Sequence, residues 1–307
     1  MSDKDLFNEI SGLLSERKNE RTRNIDLAST REILEMINQE DALVHSAVRK
    51  EIPNIERAVE AVTDAFKKRG RLFYFGAGTS GRLGIVDASE CPPTFGSSSD
   101  MVQGIIAGGR DAVFKAQEGA EDLPENGAEE VRKKNIGPND IVCGIAASGR
   151  TPFVKGALDE AKKRGITRII ISTSNEKKLN ELGVFADIYI CPDVGPEVIA
   201  GSTRMKSGTA QKMVLNMITT ASMVKLGKTY ENVMVDLQLT NKKLKERAKR
   251  IIMEITGADY DEAKELLKMS NGHVKTALVM KLANVNEEKA REMLNNSDGF
   301  IRKALNK

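Results

Sequence analysis

Five short runs rich in β-branched and aromatic residues, Leu72 to Phe75, Val102 to Ala107, Ile141 to Ile145, Arg168 to Ser172 and Ile188 to Ile190, punctuate the middle of this chain. Helical apolar spacing fills the stretches between them, at Gly81 to Ser89, Asp111 to Gly119, Phe153 to Arg164 and Glu176 to Leu182. Such alternation builds βα units, in which each strand returns parallel to the last through a crossover helix. The expected fold class is α/β: a doubly wound, mostly parallel sheet with N-terminal helices and a small C-terminal all-helical domain. Sheets of this kind bind ligands beyond the carboxyl ends of their strands, so the loops after the strands are where chemistry is expected.

The flanks read differently. The first 28 residues are polar, with weak apolar spacing at Leu6, Ile10 and Leu13, an arm expected to be mobile by itself. Ser29-Thr30-Arg31-Glu32 offers a capping box, in which hydroxyl and carboxylate satisfy each other's orphan amides, before Ile33, Leu34, Met36 and Ile37. A second helix is expected over Ala42 to Lys68. After Cys191, a loop rich in Gly, Ser and Thr, Gly195 to Ser202, leads to an apolar helix, Thr209 to Leu226, and then to a basic one around Asn241 to Met253. Beyond Thr256-Gly257, three or four short amphipathic helices are expected, with candidates at Asp259 to Met269, His273 to Leu282, Glu287 to Leu294 and Gly299 to Leu305. The organisation read from these shifts is an arm with helices at 1–54, a ligand-binding domain at 55–225, a helical connector at 226–256 and a small helical domain at 257–307.

Composition narrows the function. Against 47 Lys and Arg stand 44 Asp and Glu, a formal charge of +3, with no Trp and 4% aromatic residues. That is a poor polyanion binder and a poor base-stacking surface, so no nucleic acid is expected. No apolar run approaches the ~18 residues of a membrane span, and Met1-Ser2-Asp3-Lys4-Asp5 lacks the layout of a secretory leader, so the expected setting is cytoplasmic, with no membrane. Cys91, Cys143 and Cys191 are three, spread along the chain, and read as reduced thiols. With only His45 and His273, a His-rich metal site is not expected, and catalysis should lean on carboxylates. No metal or cofactor is expected.

Two turns could hold a phosphate. The first strand runs into Gly76-Ala77-Gly78-Thr79-Ser80-Gly81-Arg82, where freed backbone amides, a helix N-terminus and the hydroxyls of Thr79 and Ser80 all favour an anion. The spacing is also GxGxxG, but the next strand ends in Ala107-Gly108-Gly109-Arg110, without the acid that would bind a ribose diol. A second turn of the same kind, Ile145-Ala146-Ala147-Ser148-Gly149-Arg150-Thr151-Pro152, has no place in a dinucleotide site. Two hydroxyl-rich turns closing on one phosphate suit a phosphosugar better; the bland alternative is a pair of ordinary N-capped connections.

The paired turns resemble those of sugar isomerase (SIS) domains, which bind phosphosugars. The longer strings GAGTSGRLGIVDASECPP (Gly76 to Pro93), GIAASGRTP (Gly144 to Pro152) and GSTRMKSGTAQK (Gly201 to Lys212) are similar to the N-acetylmuramic acid 6-phosphate etherase family. The resemblance implies phosphate binding by Gly78, Thr79, Ser80, Gly81, Ser148, Gly149 and Thr151, with Arg204 or Lys206 contacting an anionic group of the substrate. It further implies that Glu90 and Glu121 are catalytic, although the residues alone leave Glu118 and Asp122 as competitors. The implied reaction is cleavage of the lactyl ether by elimination. A base removes the C2 proton of the open-chain sugar, an acid protonates the departing lactate oxygen, and water adds at C3. A carboxyl acid in that scheme needs a raised pKa, since a free Glu is only ~0.2% protonated at pH 7. The family pattern makes Glu90 the acid and Glu121 the base; the residues alone do not fix the order.

Pro92 and Pro93 are expected to end the helix that begins at the first turn and so to hold Glu90 at a corner. Ser80 and Glu90 are ten residues apart, ~15 Å of straight helix. That reach implies either a bent helix or a homodimer whose sites lie near its interface. The basic run Lys242 to Arg250 reads as a solvated helix face, and His273 as structural. Two other functions remain compatible: aldose-ketose isomerisation of a phosphosugar, which also needs a base at C2, and a phosphosugar-sensing regulator like the glucokinase regulatory protein.

Overall fold

The computed structural model describes residues 16–237, 239 and 242–306. The expected periodicity at Leu6, Ile10 and Leu13, and the start of the basic helix at Asn241, lie outside them. The chain forms two compact units. One takes residues through 88 together with 100–218; the other takes 89–99 and 219 onward.

The first unit opens with two 3-10 turns, Glu20–Thr22 and Ile25–Leu27, and then helix α1 (Thr30–Lys50). Ser29 caps α1 through the expected box, its backbone amide donating to Glu32 at 2.7 Å. The second helix does not begin at Ala42: α1 runs through that residue to Lys50, and α2 spans Ile52–Lys67. The break falls at Glu51 because Pro53, tolerated in a first helical turn, has no amide to continue α1.

Strands β1 (Leu72–Gly76), β2 (Val102–Ile106), β3 (Ile141–Ile145), β4 (Thr167–Ile171) and β5 (Ile188–Ile190) then form one parallel sheet in the order β2-β1-β3-β4-β5. β1 and β3 are buried along their whole length, as strands covered by helices on both faces must be. Phe73, Phe75, Val142 and Ile170 pack with Phe153, Val154, Ala157, Leu158 and Ala161 of helix α6 (Pro152–Lys163). Helix α5 (Pro124–Lys133) covers the same layer: a Cβ at Gly156 would collide with the carbonyl of Pro124, so α6 needs a glycine at this contact. The helices expected after β2 and β4 are shorter than their apolar spacing suggests, α4 (Asp111–Phe114) and α7 (Glu176–Glu181). α4 stops where Lys115 turns extended.

Helix α3 (Gly78–Phe95) corrects a second expectation. Pro92 and Pro93 lie inside it rather than ending it. Each proline removes only its own amide donor; the carbonyl of Pro92 still accepts from the amide of Gly96 at 2.9 Å, so the turn closes past them. Helix α8 (Lys206–Lys225) begins one turn earlier than the apolar pattern indicates.

The second unit has its own core. The hairpin β6 (Thr229–Tyr230) and β7 (Val233–Met234) leads to α9 (Lys242–Thr256), α10 (Tyr260–Met269), α11 (Val274–Ala283), α12 (Glu287–Asn295) and α13 (Ile301–Ala304). Ile251, Ile252, Leu267, Leu278, Val279, Leu294 and Ile301 share one cluster, with α11 buried on nearly every side. His273 has the structural part expected of it: Nδ1 lies 2.6 Å from Oγ1 of Thr276, and Nε2 faces Asp236 at 3.6 Å. No helix among the described residues is long and apolar enough to cross a membrane.

Candidate active site

Strand order reverses between β1 and β3, and the crevice beyond that switch point is where an open parallel sheet receives ligands. The two turns singled out by composition are the loops leaving these two strands. They face one cleft of about 300 Å³, lined by Gly78, Thr79 and Ser80 from the first turn and Ser148, Arg150 and Thr151 from the second.

Local chemistry shapes each turn. Gly78 (φ +52°) starts α3 in a conformation that disfavours a side chain. Gly81 does not line the cleft. A Cβ there would sit 2.6 Å from Cγ1 of Ile106 and 2.8 Å from the carbonyl oxygen of Gly76, so its contribution is the close seating of α3 on the sheet. Ser80 is buried and donates to Oε1 of Gln211 at 3.0 Å, while Gln211 Nε2 is buried without a partner among the described residues. The second turn is braced from behind by the segment after β4. Ser172 and Thr173 hydroxyls donate to the carbonyl of Ala147 at 3.0 and 2.9 Å, and Ser174 Oγ donates to that of Ser148 at 2.8 Å. Gly149 (φ +76°) makes the bend and also stays off the cleft surface.

Glu121 and Asp122 stand at the same cleft. The carbonyl of Glu121 accepts from the amide of Phe153 at 2.9 Å, which ties the acid to the first turn of α6 and hence to the second phosphate turn. Desolvation pushes the Glu121 carboxyl above the ordinary carboxylate value, the charge of Asp122 adds to the rise, and Arg150 opposes it. Glu118 lines a neighbouring cavity instead.

Other expected residues are elsewhere. Lys206 is fully buried, its Nζ 2.7 Å from Oε2 of Glu40 and 2.8 Å from the carbonyl oxygen of Val194, and it does not line the cleft. Its long stem carries the ammonium inward to α1 rather than out to solvent. Arg204 is exposed and also absent from the lining. The anion position at the start of α8 is already occupied by the buried carboxylate of Glu197, which accepts from the amides of Lys206 and Ser207, each at 2.9 Å, and from Ser207 Oγ at 2.7 Å. Glu90 is exposed on α3, ten residues beyond Ser80, and is not among the residues lining the cleft.

Sequence reasoning missed Glu16, Gly201 and Thr203, which complete the wall. Glu16 belongs to the polar arm, where no periodicity marks it. The arm is held by contacts distant in sequence: Asn19 Nδ2 donates to Glu40 at 2.8 Å and to the carbonyl of Pro196 at 3.2 Å, and Thr22 Oγ1 donates to that of Val198 at 2.8 Å. Arg150 was visible in its string but not singled out. Among the described residues, no group of three His, Cys, Asp or Glu side chains could hold a metal ion, and no disulfide joins the three cysteines.

Three family models match the chain: the glucokinase regulatory protein N-terminal SIS domain over residues 54–162, the SIS domain over 119–221 and a UBA-like domain over 253–280. The chain is 59% identical over 275 residues to an N-acetylmuramic acid 6-phosphate etherase of Salinibacter ruber, covering 89% of this chain and 88% of that one. It is 52% identical over 279 residues to N-acetylmuramic acid 6-phosphate etherase 2 of Vibrio cholerae, covering 91% and 90%. Among solved structures, a Bacteroides fragilis protein provisionally described as a phosphosugar isomerase involved in capsule formation shares the fold. It has a TM-score of 0.50 and 19% identity, over 66% of this chain and 94% of that one.

Proposed function

The chain belongs to the N-acetylmuramic acid 6-phosphate etherase family, and on that premise we propose that the cleft between the two turns carries the reaction, with Glu121 as its base. The reaction is cleavage of the D-lactyl ether of N-acetylmuramic acid 6-phosphate to N-acetylglucosamine 6-phosphate and D-lactate, in the recycling or catabolism of cell-wall amino sugars.

An alkyl ether resists direct displacement, but in the open-chain sugar the C2 proton is acidic because it lies α to the C1 aldehyde. Glu121 takes that proton, the electron pair forms the C2=C3 bond, and the C3–O bond breaks as the lactate oxygen is protonated. Water then adds to C3 of the enal, and a proton returns to C2. Elimination and the addition that follows it each need one proton taken and one given, which one ionised and one protonated carboxyl can serve. The observation that carries the reading is the position of Glu121, a carboxylate at the edge of a cleft walled by both hydroxyl-bearing turns.

In this reading the phosphate is held by amides and hydroxyls of Gly78, Thr79 and Ser80 on one side and of Ser148 and Thr151 on the other; Gly149, whose amide donates to the carbonyl of Ala146 at 3.1 Å, makes the bend between them rather than a contact, and Gly81 keeps the first turn seated. Lys206 acts from behind, fixing the loop that ends in Gly201 and Thr203. Glu90 is the acid, supported by its place in the family string. Its exposure and its distance along α3 fit a homodimer in which a second copy helps complete each site. The setting is cytoplasmic. Residues 55–225 form the sugar-binding domain, 1–54 are the arm and helices ahead of it, 226–256 are a helical connector, and 257–307 are an appended helical domain.

The test is incubation with N-acetylmuramic acid 6-phosphate in isotopic water for the wild type, Glu121→Gln and Glu90→Gln. Solvent label should appear at C2 and in the new C3 hydroxyl. Labelled oxygen in the lactate would replace elimination by attack on the lactyl side. Full activity in both variants would remove the residue assignment.

A further inference from the structure

A second cavity of about 200 Å³ opens beside the phosphosugar cleft and shares Ala77, Gly78 and Glu121 with it. Its other walls are three alanines, Ala107, Ala112 and Ala116, the polar Gln117 and Glu118 with Gly119, and one cation, Arg82. Arg82 sits one turn into α3, and its Nε donates to the carbonyl of Val113 at 2.9 Å. That bond fixes the guanidinium plane, and no carboxylate among the described residues pairs with it. A guanidinium held in place beside small apolar walls is a receptor for a carboxylate carrying a methyl branch.

Resting on the etherase reading, we propose that this side cavity is the lactyl subsite: Arg82 receives the lactyl carboxylate and the alanine methyls receive the lactyl methyl. The arrangement explains why the cavity shares Glu121 with the phosphate cleft. C2, where the proton leaves, neighbours C3, which bears the lactyl oxygen, so base and lactyl pocket must meet at one place. It also supplies the cation that Lys206 cannot, since that ammonium is engaged by Glu40. Glu118 is exposed, so solvent and salt screen its repulsion of the incoming carboxylate. Arg82 is a binding residue here, one that separates the substrate from the same sugar phosphate without its lactyl arm.

The experiment compares equilibrium binding of N-acetylmuramic acid 6-phosphate, in a Glu121→Gln background that halts turnover, with binding of N-acetylglucosamine 6-phosphate, with and without Arg82→Gln. Loss of a charge-assisted carboxylate contact should weaken the first ligand about 10-fold or more and the second less than about 2-fold. Ala116→Leu, a change at an exposed position on the cavity wall, should reproduce that selective loss by filling the space and serves where Arg82→Gln fails to fold. D-lactate with inorganic phosphate should inhibit the wild type better than phosphate alone, and this advantage should vanish in Arg82→Gln. Equal weakening of both sugars, or none in either variant, overturns the assignment. A wild type that binds neither sugar and releases no lactate instead removes the etherase reading beneath it.

Discussion

Nζ of Lys206 lies 2.7 Å from Oε2 of Glu40, joining the first residue of α8 to the middle of α1 across 166 positions of sequence with both side chains buried. The same carboxylate accepts from Arg21 and Asn19 in the arm. Arg21 first, then Lys206 and Asn19, hold the Glu40 carboxyl down to about 2 against the desolvation that would raise it. One acid thus ties the arm and α1 to the start of α8; the arm and the loop before α8 also reach the cleft wall, through Glu16, Gly201 and Thr203.

Removing one partner of such a buried cluster leaves uncompensated charge. Lys206→Met should cost about 3 kcal/mol of stability, read as a lowered denaturation midpoint with an unchanged slope. The pH dependence follows from the sign of the Glu40 shift. Its folded pKa is depressed, so its contribution is complete above the ordinary value of 4.5 and is lost as pH falls towards about 2. The gap in midpoint between wild type and Glu40→Gln should therefore be wide at neutral pH and narrow progressively once the pH drops below 4.5. A gap independent of pH would show that Glu40 contributes by packing alone.

Glu121→Gln should reduce kcat by about 10² to 10⁴-fold with a modest change in KM, the signature of a lost general base. Although the residue is exposed, partial desolvation and Asp122 raise its pKa, and Arg150 lowers it. The acid limb of the rate profile should consequently sit above that of a free glutamate, move further up in Arg150→Gln and move down in Asp122→Asn. Shifts of the same sign in both variants would remove Glu121 as the titrating group.

Ser80 donates to Gln211, whose buried Nε2 has no partner among the described residues. Turning the amide over lets Nε2 donate to Ser80 and frees the hydroxyl proton for a phosphate oxygen. A glutamate at 211 can only accept, and its charge would face the phosphate. Gln211→Glu should raise KM about 10-fold or more at pH 7, while Ser80→Ala should show a smaller rise from loss of one neutral donor. Equal KM values for Gln211→Glu and wild type would exclude the pairing from phosphate recognition.

Gly149→Ala tests the second turn. Its φ of +76° is strained for any other residue, and the added Cβ would collide with Cδ2 of the buried Leu179. A loss of about 1 to 3 kcal/mol is expected, together with weaker substrate binding, because Ser148 and Arg150 flank the bend. Calorimetry and binding should move together.

The sheet was legible because its strands are mostly buried, β1 and β3 along their whole length, and burial on both faces selects the dense runs of Val, Ile and Phe that mark them. The capping box at Ser29 was legible for a similar reason, its chemistry being complete within four residues. The prolines at 92 and 93 misled, since the rule that they break helices weighs local donors and not the turns that close beyond them.

What the chain determined by itself were features closed over short spans: strand and helix periods, two glycine-bearing turns with their hydroxyls, and the acids that share their strings. The tertiary structure decided which of these meet. It put the turns of β1 and β3 on one cleft through the reversal of strand order, brought Glu16 and Thr203 to its wall, and turned Lys206 inward to Glu40. It also placed Arg82 and Glu121 on the wall of one cavity with Ala107, Ala112 and Ala116. The physical reason is that a side chain's type is local, whereas its partner and its exposure depend on packing between segments that periodicity does not order.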